Sequence, residues 1–251
     1  MSFSLEHLAV KPSQISLPSQ IMAIGKYGCG KSYLAGSASL VPELSPIAIL
    51  DVEHSAVGTL SDFDDDKIDV FDVKKIAQAN DAHEFEAFMS LAESLLTEEH
   101  PYKTVVIDTL DVVNEMALDY YALQYPSDGF AKWTAAKDAL TASGGLIDRM
   151  KAADFLSILV LHIQTDDDGK NYEFAWQGRS ARSTLGQYPD LVMHVDMTYN
   201  KRRGEWSTDI TTVPTGDGQA KNRFLSRIPP VMEGDITMKD IWTMLNTKEK
   251  K

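Results

Sequence analysis

Residues 25–32 read Gly-Lys-Tyr-Gly-Cys-Gly-Lys-Ser and fill the pattern G-x-x-x-x-G-K-[ST] in full. Glycines let backbone N–H groups converge on a phosphate where a Cβ would clash, and the start of the following helix adds a positive dipole end. The match follows the apolar run Ser19–Ile24 and opens a helical stretch, Ser32–Leu40, the setting the motif needs. Gly25, Lys26, Tyr27, Gly28, Cys29, Gly30, Lys31, Ser32 and Tyr33 are therefore the expected phosphate cradle. Lys31 is expected to reach the β- and γ-phosphates and Ser32 to ligate Mg²⁺. A glycine-rich turn without a ligand is the alternative. Cys29, the one cysteine, contributes its backbone here, with redox sensing by its thiol as a lesser possibility.

A nucleotide-bound Mg²⁺ also calls for an acid at the end of a neighbouring strand. Asp108 fits, closing the run Val105-Val106-Ile107 before Thr109. It is equally placed to cap a helix starting near Asp111, and the two roles are compatible. Hydrolysis further needs a base to orient or deprotonate water. Asp51 and Glu53, at the end of another apolar run, are the candidates.

The elements around these residues alternate. Strands are expected at Ser19–Ile24, Pro46–Asp51, Lys103–Leu110 and Phe155–His162. Helices are expected from Asn80 or Asp81 to about Leu96, with Asp81 and Glu84 as a capping box, over Asp111–Leu123, and from Ala131 to Ala153, weakened at Gly144-Gly145. Asp62–Asp69, with five acids in eight residues, reads as a solvated loop. Continuous apolar strands separated by helices predict an α/β fold, with a mainly parallel sheet covered on both faces. The later chain turns to hairpin-like strands: a tight turn at Asp166–Gly169, then Leu191–Tyr199 and Trp206–Val213, with a capped amphipathic helix at Thr237–Leu245. A mixed sheet with an antiparallel C-terminal extension follows.

The 251 residues carry 43% hydrophobic and 24% charged side chains, ordinary for a globular domain, which excludes wholesale disorder. No apolar run is long enough for a membrane helix, and the N-terminus lacks a signal-peptide pattern, so a cytoplasmic protein is expected. One cysteine excludes a disulfide framework. The net charge of −13 resides in residues 1–144, while residues 145–251 are balanced. Contacts to nucleic acid would therefore have to come from local basic clusters in the second half.

The segment Ile49-Leu50-Asp51-Val52-Glu53-His54-Ser55-Ala56 closely resembles the part of RecA recombinases that carries their catalytic glutamate. From about Ser19 to Asn246 the chain resembles the short RecA-like P-loop ATPases of bacteriophages, the single-strand annealing and recombination type. The resemblance implies one RecA-like ATPase domain over residues 1–251, with an N-terminal extension (1–18), a core (19–246) and a basic tail (247–251). It implies ATP and Mg²⁺ as cofactors, Glu53 as the residue acting on water, and a γ-phosphate sensor at His162 or Gln164. It places a DNA-binding loop at Asp166–Gly186, where Lys170, Arg179 and Arg182 would meet phosphates and Tyr172, Phe174 and Trp176 would stack on bases. A hairpin packing those aromatics on the core is the alternative. Lys201, Arg202 and Arg203 form a basic turn that would face DNA or another subunit. Lys221-Asn222-Arg223 resembles the K-x-R element inserted into a neighbour's active site, with Lys201 and Arg203 as the rival pair.

The implied protein is an ATP-hydrolysing homo-oligomer, ring or filament, acting in phage DNA recombination, annealing or replication in the bacterial host cytoplasm. Single-stranded DNA and a single-stranded-DNA-binding protein would be its partners. A helicase-like motor or loader, a slow nucleotide-gated DNA-binding module and a small-molecule kinase are the alternatives.

Overall fold

A computed structural model describes residues 17–165, 172–178, 182, 185–200, 204–214 and 219–247. The strands are β1 (Gln20–Gly25), β2 (Ile47–Asp51), β3 (Ile68–Asp72), β4 (Thr104–Asp108), β5 (Leu156–Thr165), β6 (Tyr172–Phe174), β7 (Leu191–Asn200), β8 (Glu205–Thr211), β9 (Lys221–Asn222) and β10 (Val231–Met232). They form one sheet in the order β10-β8-β7-β1-β5-β4-β2-β3, with β6 added to β5 and β9 to β7. The six strands from β7 to β3 in that order run parallel, while β6, β8, β9 and β10 pair antiparallel. The expected mainly parallel sheet with an antiparallel C-terminal part is what the chain forms.

Side chains alternate across β1, and the two faces build two cores. Met22 and Ile24 pack with Leu50, Ile107, Leu159 and Leu161 under helices α4 (Glu84–Thr97), α5 (Leu110–Gln124) and α7 (Leu146–Ala152). Ile21 and Ala23 pack with Ile49, Val160, Met193 and Ile210 under α1 (Lys31–Gly36) and the C-terminal α8 (Met238–Asn246). The expected capped C-terminal helix is α8, and its cap is a box of Thr237 with Asp240.

Several expectations are corrected by local competition. The capping box of α4 is His83 with Glu86, because Asp81 is held at φ 51° in the preceding turn and cannot start a helix. The long helix foreseen from Ala131 to Ala153 is two, α6 (Ala131–Leu140) and α7, because Gly144 adopts φ 79° between them. The end of the acidic stretch expected as a solvated loop, Ile68 and Asp69, enters β3, which is followed by a helix the sequence did not announce, α3 (Val73–Ala79), capped by the Asp72 carboxylate accepting from Lys75 N–H. The remaining short helix is α2 (Ala56–Thr59).

Candidate active site

The loop after β1 is built around two backbone requirements. A Cβ on Gly25 would lie 2.3 Å from the Val195 carbonyl oxygen and 2.5 Å from Cys29 Sγ, so no side chain fits. Gly28 and Gly30 take φ 71° and 93°, which L side chains rarely adopt. Together they turn the chain sharply from β1 into α1. Lys31 is almost fully buried; its Nζ donates to the Lys26 carbonyl at 2.7 Å, so the ammonium is folded across the loop.

Three parallel strands deliver the other groups to the same end of the sheet. Gly25 on β1 is level with His162 on β5, and Asp51 on β2 is level with Asp108 on β4. Strand β5 stands between β1 and β4, so His162 lies between the loop and the acids.

Asp108 is 2% exposed, and its Oδ1 is buried without a hydrogen-bond partner. Burial pushes its carboxyl up to about 6; the Ser32 hydroxyl opposes this, and the charges of Glu53 and Asp51 add to it. It does not cap the following helix, whose first flanking residue is Thr109. A buried carboxylate oxygen without a partner, beside a hydroxyl and a lysine, fits a magnesium–phosphate group. Among the described residues no cluster of His, Cys, Asp or Glu could hold a metal ion by itself. A cation here would share phosphate oxygens and waters with Ser32 and Asp108.

The two candidate bases separate cleanly. Asp51 is spent on structure: its oxygens accept the N–H groups of Ser55 at 3.3 Å and Ala56 at 3.1 Å, starting α2. Glu53 is one-quarter exposed; it accepts a hydrogen bond from the Thr109 hydroxyl at 3.0 Å and lies 3.6 Å from His162 Nδ1. Its neighbour His54 turns away to Asp72 at 3.0 Å.

Sequence reasoning missed Asp111. Its Oδ1 accepts the His162 backbone N–H at 3.1 Å and its Oδ2 faces His162 Nδ1 at 3.0 Å, both side chains buried. This two-point grip fixes the imidazole orientation and turns Nε2 away from the acid. The exposed Tyr27 ring covers its face, stacked at 3.8 Å and 26°. Only proximity to Asp108 in the chain hinted at Asp111, because its partner lies 51 residues away.

A match to the family model described as AAA domain spans residues 18–224. The chain belongs to this AAA-domain family. The match covers most of the chain and includes the loop, both strand-end acids and His162. No curated protein sequence matches it. Among solved structures it is similar to a prototypical ATPase from the type III secretion system of pathogenic bacteria, at 11% identity and a TM-score of 0.49. That similarity covers 92% of this chain but 60% of the other, so the chain spans well under two-thirds of that ATPase. It is also similar to the flagellar accessory protein FlaH from Methanocaldococcus jannaschii, at 8% identity and a TM-score of 0.42, over 81% of this chain and 82% of that one.

The residues expected beyond this cluster scatter. Gln164 is exposed and donates to Glu173 at 3.2 Å across the β5–β6 hairpin. Phe174 and Trp176 are buried in the core, so they do not stand free for base stacking, and the hairpin alternative describes them. Arg182 donates Nε–H to the Trp176 carbonyl at 2.9 Å and pairs with Glu173. Lys170, Arg179, Lys201, Arg202 and Arg203 lie outside the described residues.

Lys221 and Arg223 sit at the opposite end of the sheet. Lys221 pairs with Val192, near the start of β7, whereas the loop meets β7 beyond His194. The Lys221 ammonium donates to the Gly186 and Gln187 carbonyls at 3.1 and 2.8 Å, and Arg223 pairs with Asp190 at 2.8 Å. The structure does not bring them to the loop of their own chain.

Proposed function

We propose that this AAA-domain protein hydrolyses ATP. The observation that carries the reading is the convergence of Lys31, Ser32, Asp108, Glu53 and His162 at one end of four adjacent strands, β1, β5, β4 and β2. When bound, Mg²⁺ would neutralise and orient the phosphates. Lys31 holds the β/γ region, and Ser32 and Asp108 offer oxygens to the cation. Glu53, held by Thr109, accepts a proton from water, and His162, held by Asp111, presents Nε2 as the γ-phosphate sensor. Lys31→Ala is expected to abolish turnover while the protein stays folded. Wild-type turnover in that variant would remove the assignment.

The finer reading is a DNA-linked homo-oligomer working in phage recombination, annealing or replication. Its support is the RecA-like segment at residues 49–56 and the confinement of the acidic excess to the first half. Turnover measured alone, with single-stranded DNA and with duplex tests it: stimulation by single strands is expected, and equal rates in all three would remove the DNA link. A cation from a neighbouring subunit would complete the site. Two pairs compete for this role. Lys221 and Arg223 already bond within their own chain at the far end. Lys201 and Arg203 lie outside the described residues. Mixing Lys31→Ala with Arg203→Ala should restore some activity, and mixing it with Arg223→Ala separates the two pairs.

A further inference from the structure

The β7–β8 ribbon carries an exposed aromatic pair that the catalytic cluster does not use. Trp206 is 61% exposed and Tyr199 45%. They are direct cross-strand partners, with ring centroids 5.0 Å apart at 48°. Next along the ribbon, Met197 pairs with Thr208, and the Thr208 hydroxyl lies 3.5 Å from where a Cβ on Gly30 would stand. Met193, Val195 and Ile210 on the same two strands pack with Leu34 and Ala35 of α1. Alternation therefore puts Met197, Tyr199, Thr208 and Trp206 on the α1 face, leading outward from the phosphate loop.

The sheet order supplies a direction. Asp108, Glu53 and His162 all lie on the β5 side of β1, whereas β7 and β8 lie on the other side. A triphosphate whose γ end faces the acids sends its nucleoside out past Gly30 and Thr208, toward the aromatic pair. Thr208 and Trp206 are two positions apart, about 7 Å along the strand. That is a span a nucleoside can bridge.

We propose that Trp206 and Tyr199 form a stacking platform for the base of the nucleotide whose phosphates the loop holds. The proposal rests on the nucleotide reading above. Stacking uses a π face that every base has, so the platform selects for a nucleoside rather than for one particular base. Adenosine and guanosine triphosphates should both gain from it.

The test measures equilibrium binding of Mg²⁺-ATP and of Mg²⁺-tripolyphosphate to the full chain. Wild type should bind ATP more tightly than tripolyphosphate. Trp206→Ala should weaken ATP by about 10- to 100-fold, the range of one lost base stack, and leave tripolyphosphate unchanged. Trp206→Phe should restore most of the difference, and Tyr199→Ala should give a smaller loss. Unchanged tripolyphosphate affinity also shows that the variant is folded around its loop. If Trp206→Ala binds ATP as wild type does, the platform is wrong. If it changes only the sedimentation of the protein, the pair is a contact between copies and the proposal is overturned. Failure of the nucleotide reading looks different: wild type would then bind neither compound, or Lys31→Ala would retain tripolyphosphate.

Discussion

Two aspartates at opposite ends of one sheet contrast an underpartnered carboxylate with a saturated one. Asp108, at the phosphate-loop end, is buried with an oxygen that finds no partner among the described residues. Asp190, at the far end, is saturated. It accepts from Lys151 at 2.8 Å, from Arg223 at 2.8 Å, and from the backbone and hydroxyl of Ser19 at 3.1 and 3.2 Å. Burial pushes both carboxyls up. At Asp190 the bonds from Lys151 and Ser19 and the Arg223 charge outweigh burial and hold it below its usual value. At Asp108 burial wins and the carboxyl rises to about 6. On the proposed function, the acid left underpartnered is the one that would meet a cation from outside the chain, while the acid that closes the sheet is fully paired.

The largest effect is expected at the loop end. Glu53→Gln keeps the hydrogen bond from Thr109 but cannot take a proton, so turnover should fall by about 10²–10⁴-fold with nucleotide binding retained. Undiminished turnover would leave the site without an identified base, since Asp51 is occupied in starting α2.

Asp111→Asn should lower kcat by about 10–100-fold with little change in KM, as removal of an orienting partner does elsewhere. The His162 ring signals in an NMR spectrum should shift as well. A merely structural Asp111 would lower the melting temperature without that split.

The two aspartates should also respond oppositely to pH. A carboxyl whose folded value is raised contributes stability fully present below its unfolded value, near 4, and lost as pH rises through about 6. Asp108→Asn, free of nucleotide, should therefore be more stable than wild type at pH 7–8, by about 1–3 kcal/mol, with the gap closing toward pH 4. Denaturant titrations across that range check it. Asp190 runs the other way: its contribution is present above pH 4 and lost as pH falls through its lowered value.

At the far end, effects should fall on stability alone. Asp190→Ala should cost about 1–3 kcal/mol, because Lys151 and Ser19 lose their acceptor, with turnover per folded molecule unchanged. Arg223→Ala should cost under about 1 kcal/mol, since its side chain is half exposed. A large loss of turnover in Arg223→Ala, rescued by mixing with Lys31→Ala, would return the trans role to the Lys221–Arg223 pair.

Much of the loop end was legible in the chain because its signals are local. The glycines of residues 25–30 state their own backbone requirements, and Lys31 and Ser32 follow at fixed spacing. Apolar runs ending in Asp51, Asp108 and His162 announce buried parallel strands, since a strand covered on both faces has no polar side to show. Strand register then levels Gly25 with His162 and Asp51 with Asp108 without further instruction.

What the tertiary structure alone decided are the pairings between distant segments. Asp111 became the clamp on His162, and Asp51 was taken up by the backbone N–H groups of Ser55 and Ala56. Phe174 and Trp176 stand two positions apart like a binding face, yet packing turned both into the core. Lys221 and Arg223 have the spacing of an inserted finger, but β9 pairs with the wrong end of β7 for their own loop, and Asp190 claims Arg223. Residue type and spacing determine which chemistry a segment can offer. Which partner takes up the offer depends on long-range register and burial, whose energies are summed over the whole sheet and are written in no single segment.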